Sequence, residues 1–179
     1  MYPFLRLARN VRQARRAPRL GLFDTHVSTH VCMPWDLDLW WELNNGRTLT
    51  IYDLGRIPLA IRTGLVDVLQ QERWGLTIAG SMVRYRRRVR MWDKVEMHSR
   101  MLGWDRRFLY IDQSMWRTDG ECASQAIYRA ALTDAKGIVT TDRSTRAMNA
   151  PEESPPLPDW VQAWLAAEDA RPWPPATSG

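Results

Sequence analysis

The sequence holds two cysteines and three histidines in 179 residues. Cys32 and Cys122 fall in separate strand-like segments, not in a CxxC pair. That excludes a disulfide framework and a zinc ribbon, and predicts two buried, reduced thiols. His26 and His30 share one strand face but bring no further ligands at metal spacing, so no metal site is expected. Long apolar runs are missing too. None approaches the roughly 20 residues that cross a bilayer, and the opening residues lack the apolar stretch of a secretory signal. A cytoplasmic protein is the expectation, although an Arg-rich start without acids also resembles an organelle transit peptide. Acids are absent from residues 1–20, which carry Arg6, Arg9, Arg12, Arg15, Arg16 and Arg19. Since 25 basic residues face 20 acids overall, the net charge of +5 belongs to this arm and the remainder is close to neutral. A near-neutral remainder without a nucleic-acid motif argues against RNA or DNA.

What is present suits one domain with extensions: 45% hydrophobic and 25% charged residues over a length able to bury a real core. In the arm, residues 1–21, Phe4, Leu7, Ala8 and Val11 recur at helical spacing. Such a helix either packs on its own domain or makes a peripheral contact with anionic lipid or an acidic protein. "FDTHVSTHVCM" (23–33) alternates as a strand, with Val27 and Val31 on one side and His26, Ser28 and His30 on the other. From Asn44 to Gly64 the chain reads as a helix apolar almost all round, relieved by a stripe of Arg47, Thr50, Asp53 and Arg56, and hence buried. Pro58 is expected to kink or restart it. "LVDVLQQER" gives a short second helix.

From Leu76 the period changes. "LTIAGSMVRYRRRV", "KVEMHSRMLGW", "FLYIDQSMWRT" and "ECASQAIYRAALTD" are strand-like runs joined by short turns, an antiparallel meander. The layout is α+β, with a curved sheet that must wrap the helix to bury it. Residues 150–179 read as a proline-rich linker, a short amphipathic helix and an irregular tail.

"DLDLWWELNNGRTLTIYDLGR" resembles the D-x-D-x-x-x-H-x-N-N signature of hot-dog thioesterases, with Asp36, Asp38, Asn44 and Asn45 in matching places. "GSMVRYRRRV" and "RMLGWDRRFLYIDQSMWRTDGE" are similar to the second strand and following hairpin of the group containing 4-hydroxybenzoyl-CoA thioesterase and thioesterase superfamily member six. The likeness covers residues from about 23 to 147, within a domain read as residues 22–149. It implies a hot-dog fold, an antiparallel sheet wrapped around a long central helix. It further implies hydrolysis of an acyl-CoA or acyl-carrier-protein thioester without a cofactor, in a homodimer or dimer of dimers with active sites between protomers. One departure matters: Glu42 stands where the signature has histidine, so histidine-borne roles do not transfer.

By that correspondence, the backbone amide near Asn45 polarises the thioester carbonyl at a helix start, and Gly46 lets the backbone approach substrate closely. Asp38 matches the position of the nucleophile or general base, and a carboxylate among Trp35, Trp40 and Trp41 should be partly desolvated. The alternative for Asp36 and Asp38 is an Asx-turn or a helix cap. Glu42 either replaces the histidine as acid and base or merely favours the helix dipole. Asp53, three residues before Arg56, most simply forms an ion pair, while another hot-dog branch places its acid on this helix. Ser81 is a candidate contact with a neighbouring protomer's substrate. Arg84, Arg86, Arg88 and Arg90 alternate along one sheet face, either to hold CoA phosphates or the acidic surface of a carrier protein, or as a solvated face paired with Asp112 and Glu96. The rival from a different class is a non-catalytic acyl-thioester-binding or membrane-associated hot-dog protein.

Overall fold

The computed structural model describes residues 2–175; the last four residues of the expected irregular tail lie outside the described residues. An 18-residue helix, α2 (Asn45–Arg62), is the centre of the fold. Asn44 caps it, its side-chain oxygen accepting the Arg47 amide at 3.1 Å. Ile51, Tyr52, Leu54, Gly55, Pro58 and Leu59 are buried, while Arg47, Thr50, Asp53 and Arg56 keep partial exposure along the expected polar stripe.

The sheet that wraps α2 is antiparallel throughout. Strands β1 (His26–Val31), β2 (Gly75–Tyr85), β3 (Lys94–Trp104), β4 (Leu109–Arg117) and β5 (Cys122–Asp134) stand in the order β1-β3-β4-β5-β2, so β1 and β2 are the edges. A short helix, α3 (Leu65–Glu72), connects α2 to β2. The inner face presents Met97, Ser99, Gln113, Met115, Ala126 and Tyr128, all buried. Helix and sheet come close because residue 55 is glycine: a Cβ there would lie 2.5 Å from the Met97 sulfur and 2.7 Å from the Ser99 hydroxyl. Gln113 locks the contact, donating to the Tyr52 carbonyl at 2.9 Å and to Ser99 at 2.7 Å and accepting from Arg56 at 3.0 Å. Beyond β5, a two-residue strand β6 (Gly137–Ile138) and the helix α4 (Thr141–Ala147) precede the proline-rich stretch. The last helix, α5 (Asp159–Ala170), sets Trp164 and Leu165 against Phe108, Tyr110 and Ala131 in a second, smaller apolar cluster.

The basic arm is the helix α1 (Phe4–Arg16), and it packs on α2. Its value is clearest at Pro58. Lacking an N–H, Pro58 leaves the Leu54 carbonyl without its helical donor, and the Asn10 side chain donates to that oxygen at 3.3 Å. The helix therefore runs continuously through Pro58 instead of restarting there. Arg19 and Leu20 likewise donate to the terminal carbonyls of Ile61 and Arg62. The outer face of α1 leaves Phe4, Leu5, Arg9, Arg12, Arg15 and Arg16 in solvent.

Two local expectations are corrected, and the inward side of β1 is settled. In β1 the inward face is His26 and His30, at 7% and 5% exposure, and Val27 is exposed. The histidines are tolerated because Arg62 meets His26 Nδ1 at 3.1 Å and Ser28 meets His30 Nε2 at 2.9 Å. Burial, reinforced by nearby Arg62 for His26 and Arg6 for His30, pushes both down to about 4. The arginine alternation ends at Tyr85, because Arg86 and Arg87 both donate their amides to the Ala123 carbonyl. Glu96 and Asp112 pair instead with His98 and Arg100. Finally, Cys32 is buried, its thiol pushed up to about 11 chiefly by burial, while Cys122 is only partly covered; both are free.

Candidate functional site

The segment between β1 and α2 folds as a one-turn 3-10 helix, Pro34–Asp36, followed by a tight hairpin closed by the Leu37 and Leu43 pairing. The two aspartates of the D-x-D motif point to different tasks. Asp36 is fully buried. One carboxylate oxygen accepts from Arg6 at 2.6 Å and the Met33 amide at 3.1 Å, and the other accepts from Arg47 at 2.7 Å. Burial by itself would raise this carboxyl; the hydrogen bonds from Arg47, Met33 and Arg6 outweigh it and hold Asp36 below the ordinary carboxylate range. Arg6 thus ties the arm to the loop, and Arg47 ties the loop to the first turn of α2.

Asp38 stands at the base of the hairpin, half-buried. Its Oδ1 accepts from the amides of Trp40 at 2.9 Å and Glu42 at 3.3 Å, and its own amide donates to the Glu42 carbonyl at 2.8 Å. This is the Asx-turn weighed from the sequence. The tryptophans do not wrap it: Trp35, Trp40 and Trp41 are 64%, 75% and 71% exposed, so the expected desolvating cage is absent.

The hairpin delivers Glu42 to a cavity of about 190 Å³ at the start of α2. Glu42, Leu43, Asn45 and Thr48 line one side, and Tyr85, Arg86, Arg87, Arg88 and Val89 line another. Met115, Ala123 and Ser124, from β4 and β5, complete it. Glu42 forms an ion pair with Arg88, Oε1 to Nε 3.0 Å. The backbone amides of Asn45 and Gly46 lie in the first turn, where α2 supplies no acceptor, and nothing among the described residues accepts from them. Tyr85 donates to the Asn45 carbonyl at 3.3 Å. Ser124 Oγ lies 2.9 Å from the buried Tyr52 hydroxyl. Arg86, Arg87 and Arg88 are shared with an outer cleft of about 420 Å³, completed by Arg90, Asp93 and Arg117.

The structure therefore brings Glu42, Asn45, Arg86 and Arg88 to one cavity, with Gly46 beside Asn45 and Asp38 reaching it through its bonds to Glu42. Asp53 does not line it: its carboxylate pairs with Arg56 and accepts from Tyr2 at 3.2 Å. Ser81 and Arg84 are exposed on the edge strand β2, outside the lining. Sequence reasoning missed Thr48, Tyr85, Arg87, Met115 and Ser124. The one signal for Ser124 was a tyrosine on an otherwise apolar helix, which needs a hydroxyl partner when buried. Among the described residues no group of three or more His, Cys, Asp or Glu gathers as metal ligands, and no helix is long and apolar enough to cross a membrane.

Comparison with known proteins agrees with this architecture. The chain is 29% identical to Protein THEM6 of Xenopus laevis over 171 residues, covering 93% of this chain and 80% of that one. In three dimensions it resembles a putative oleoyl thioesterase of Lactobacillus plantarum, with a TM-score of 0.67, 14% identity, and 87% of this chain matched to 59% of that one. It also resembles smu.793 of Streptococcus mutans, solved bound to acetyl-CoA, with a TM-score of 0.52, 13% identity and coverages of 69% and 86%. The family model of the thioesterase-like superfamily matches residues 32–165, from the end of β1 to the middle of α5, and the chain belongs to that superfamily.

Proposed function

We propose that the protein hydrolyses acyl-CoA thioesters, with the reacting carbonyl at the first turn of α2. The observation that carries the reading is the meeting, in one cavity, of the unpaired Asn45 end of a helix, a carboxylate at Glu42 and a cationic mouth. Helix-end amides stabilise the oxyanion as water adds to the carbonyl carbon. Glu42 takes the proton of that water as the C–O bond forms. When the C–S bond breaks, the proton passes to the departing sulfur, which leaves as the free thiol of CoA. Asp38 positions the base by fixing the hairpin, while Arg86, Arg87 and Arg88 meet the phosphates of CoA. The acetyl-CoA complex of smu.793 supports CoA as the carrier.

The experiment is a pair of isosteric changes. Asp38→Asn keeps an Oδ1 able to accept from Trp40 and Glu42, so the hairpin persists, and Glu42→Gln removes only the charge. With a base at Glu42, Glu42→Gln lowers kcat by about 10²-fold or more, and Asp38→Asn by much less. The reverse order assigns the base to Asp38, and wild-type rates in both sink the mechanism.

The edge strand β2 suits pairing with a second copy, which would carry the exposed Ser81 and Arg84 of one protomer toward the other's cavity. Sedimentation equilibrium tests this, a monomer at all concentrations rejecting it. One observation favours an added membrane contact: Leu39, Trp40 and Trp41 project at 90%, 75% and 71% exposure, and α1 turns arginines outward. Salt-sensitive sedimentation with phosphatidylserine vesicles, lost on replacing Arg9, Arg12, Arg15 and Arg16 by Gln, is the expected result. Deleting the whole arm is a poor test, because Arg6 and Asn10 brace the core.

A further inference from the structure

We infer that the acyl slot of this protein is short, stopped at its inner end by Met115, Ser124 and Tyr52, and takes acyl groups of about six carbons or fewer. The inference rests on the thioesterase reading and deepens it. The fold does not fix acyl length, since its structural neighbours include both a putative oleoyl thioesterase and a protein holding acetyl-CoA. The length limit lies in this chain's own residues.

The cavity beside Asn45, its mouth at Arg86, Arg87 and Arg88 included, has a volume of only about 190 Å³. Clefts that bury drug-sized ligands run to roughly 300–1,000 Å³. At about 30 Å³ for each non-hydrogen atom, the share of a water molecule in the liquid, the slot holds about six such atoms. Its inner wall is firm. Met115 is wholly buried, Thr48, Ala123 and Ser124 are 2%, 1% and 4% exposed, and the Tyr52 hydroxyl stands behind Ser124 at 2.9 Å. Tyr52 itself is wholly buried, and no other hydrogen bond of its hydroxyl appears among the described residues. A longer chain would have to displace Met115 from the core or part the Tyr52 and Ser124 hydroxyls, leaving buried polar groups unpaired. The cationic mouth at Arg86, Arg87 and Arg88 sets the orientation: phosphates outside, acyl group inward.

The wall also has a chemical preference. Two hydroxyls meet at Ser124 and Tyr52, and only one of their hydrogens is used between them. When Tyr52 donates, the hydrogen of Ser124 is left for an acceptor in the slot, so a short acyl group bearing a hydroxyl or oxo oxygen fits better than a plain alkyl chain of equal length.

The test uses the full chain. Values of kcat/KM are measured for acetyl-, butyryl-, 3-hydroxybutyryl-, hexanoyl-, decanoyl- and palmitoyl-CoA. The expected maximum lies at six carbons or fewer, about, with palmitoyl-CoA at least roughly tenfold lower; a profile that rises to palmitoyl-CoA overturns the inference. Binding of S-butyl-CoA and S-hexadecyl-CoA, thioethers that cannot be hydrolysed, is measured in parallel. Tighter binding of the butyl compound supports the slot even when no ester is cleaved, in which case the hydrolase reading alone fails. Tighter binding of the hexadecyl compound overturns the slot. Met115→Ala should raise the decanoyl-to-butyryl ratio of kcat/KM roughly tenfold, and an unchanged ratio in a folded variant removes Met115 as the end wall. Should that variant fail to fold, the wild-type profile decides by itself.

Discussion

Asp36→Asn tests whether the loop before α2 is held by buried charge. Asp36 has no exposed surface and faces two guanidinium groups, Arg6 at 2.6 Å and Arg47 at 2.7 Å, whose side chains are 21% and 17% exposed. The amide preserves shape but leaves both cations against a neutral group. Removing one member of a buried pair costs about 3–5 kcal/mol, because the other charge stays desolvated. For a chain of this length each kcal/mol moves Tm by about 2–4 °C, so a fall of roughly 6–20 °C is expected. Thermal and urea unfolding followed by tryptophan fluorescence measure it. The control is Asp67→Asn, whose partner Arg19 is 65% exposed; an exposed pair is worth about 1 kcal/mol or less. A loss at Asp36 no larger than at Asp67 refutes the reasoning.

Acidification below about pH 6.5 should destabilise the protein through its two buried histidines. His26 and His30 sit near 4 in the folded state, below the roughly 6.5 of an unfolded histidine. The unfolded chain therefore binds protons first, and the contribution is complete above about pH 6.5 and lost as pH falls toward 4. The loss at pH 5 is about 2 kcal/mol for each histidine, measured as the slope of Tm against pH; an unchanged slope in a His26→Gln, His30→Gln variant contradicts it. Gly55→Ala places a methyl group against Met97 and Ser99 and should cost about 1–3 kcal/mol by urea denaturation, whereas a gain, as helix propensity alone would suggest, rejects the close contact. Asn10→Ala should cost about 1 kcal/mol by uncovering the Leu54 carbonyl, and the loss should largely vanish when Pro58 is also replaced by alanine, as a double-mutant cycle will show.

The fold was legible because order and period agree from end to end. A strand, an all-round apolar helix and four alternating runs joined by short turns leave few ways to bury that helix. Direction within an element was harder to read. In β1 the alternation separates Val27 and Val31 from His26, Ser28 and His30 without saying which side turns inward; that choice is made by Arg62 and Ser28, which offer the histidines partners that a strand pattern does not display. The arginine run looked like one face until Arg86 and Arg87 took the same carbonyl of Ala123 and broke the alternation. Ser124 and Met115 reach the cavity through strand register, with Ser124 opposite both Tyr85 and Met115. Register depends on bulges and turns that no short motif announces. The packing of the arm had one readable cue: an interior proline always frees a carbonyl, and something must donate to it.

The D-x-D motif gains a physical account from these contacts. Two positions apart in an irregular segment, its aspartates are turned to separate structural tasks. Asp36 is spent on Arg6 and Arg47, and the Oδ1 of Asp38 on two hairpin amides. Both tasks serve the position of one group, because the hairpin that Asp38 closes and the loop that Asp36 anchors end at Glu42 and Asn44. In such a frame, a carboxylate at position 42 is carried to the cavity by backbone geometry, with Arg88 as its partner from the opposite wall. A side chain placed by its backbone can change chemical type without moving the site. That is the physical ground on which glutamate can occupy the place where the signature has histidine and still face the helix end that Asn45 begins.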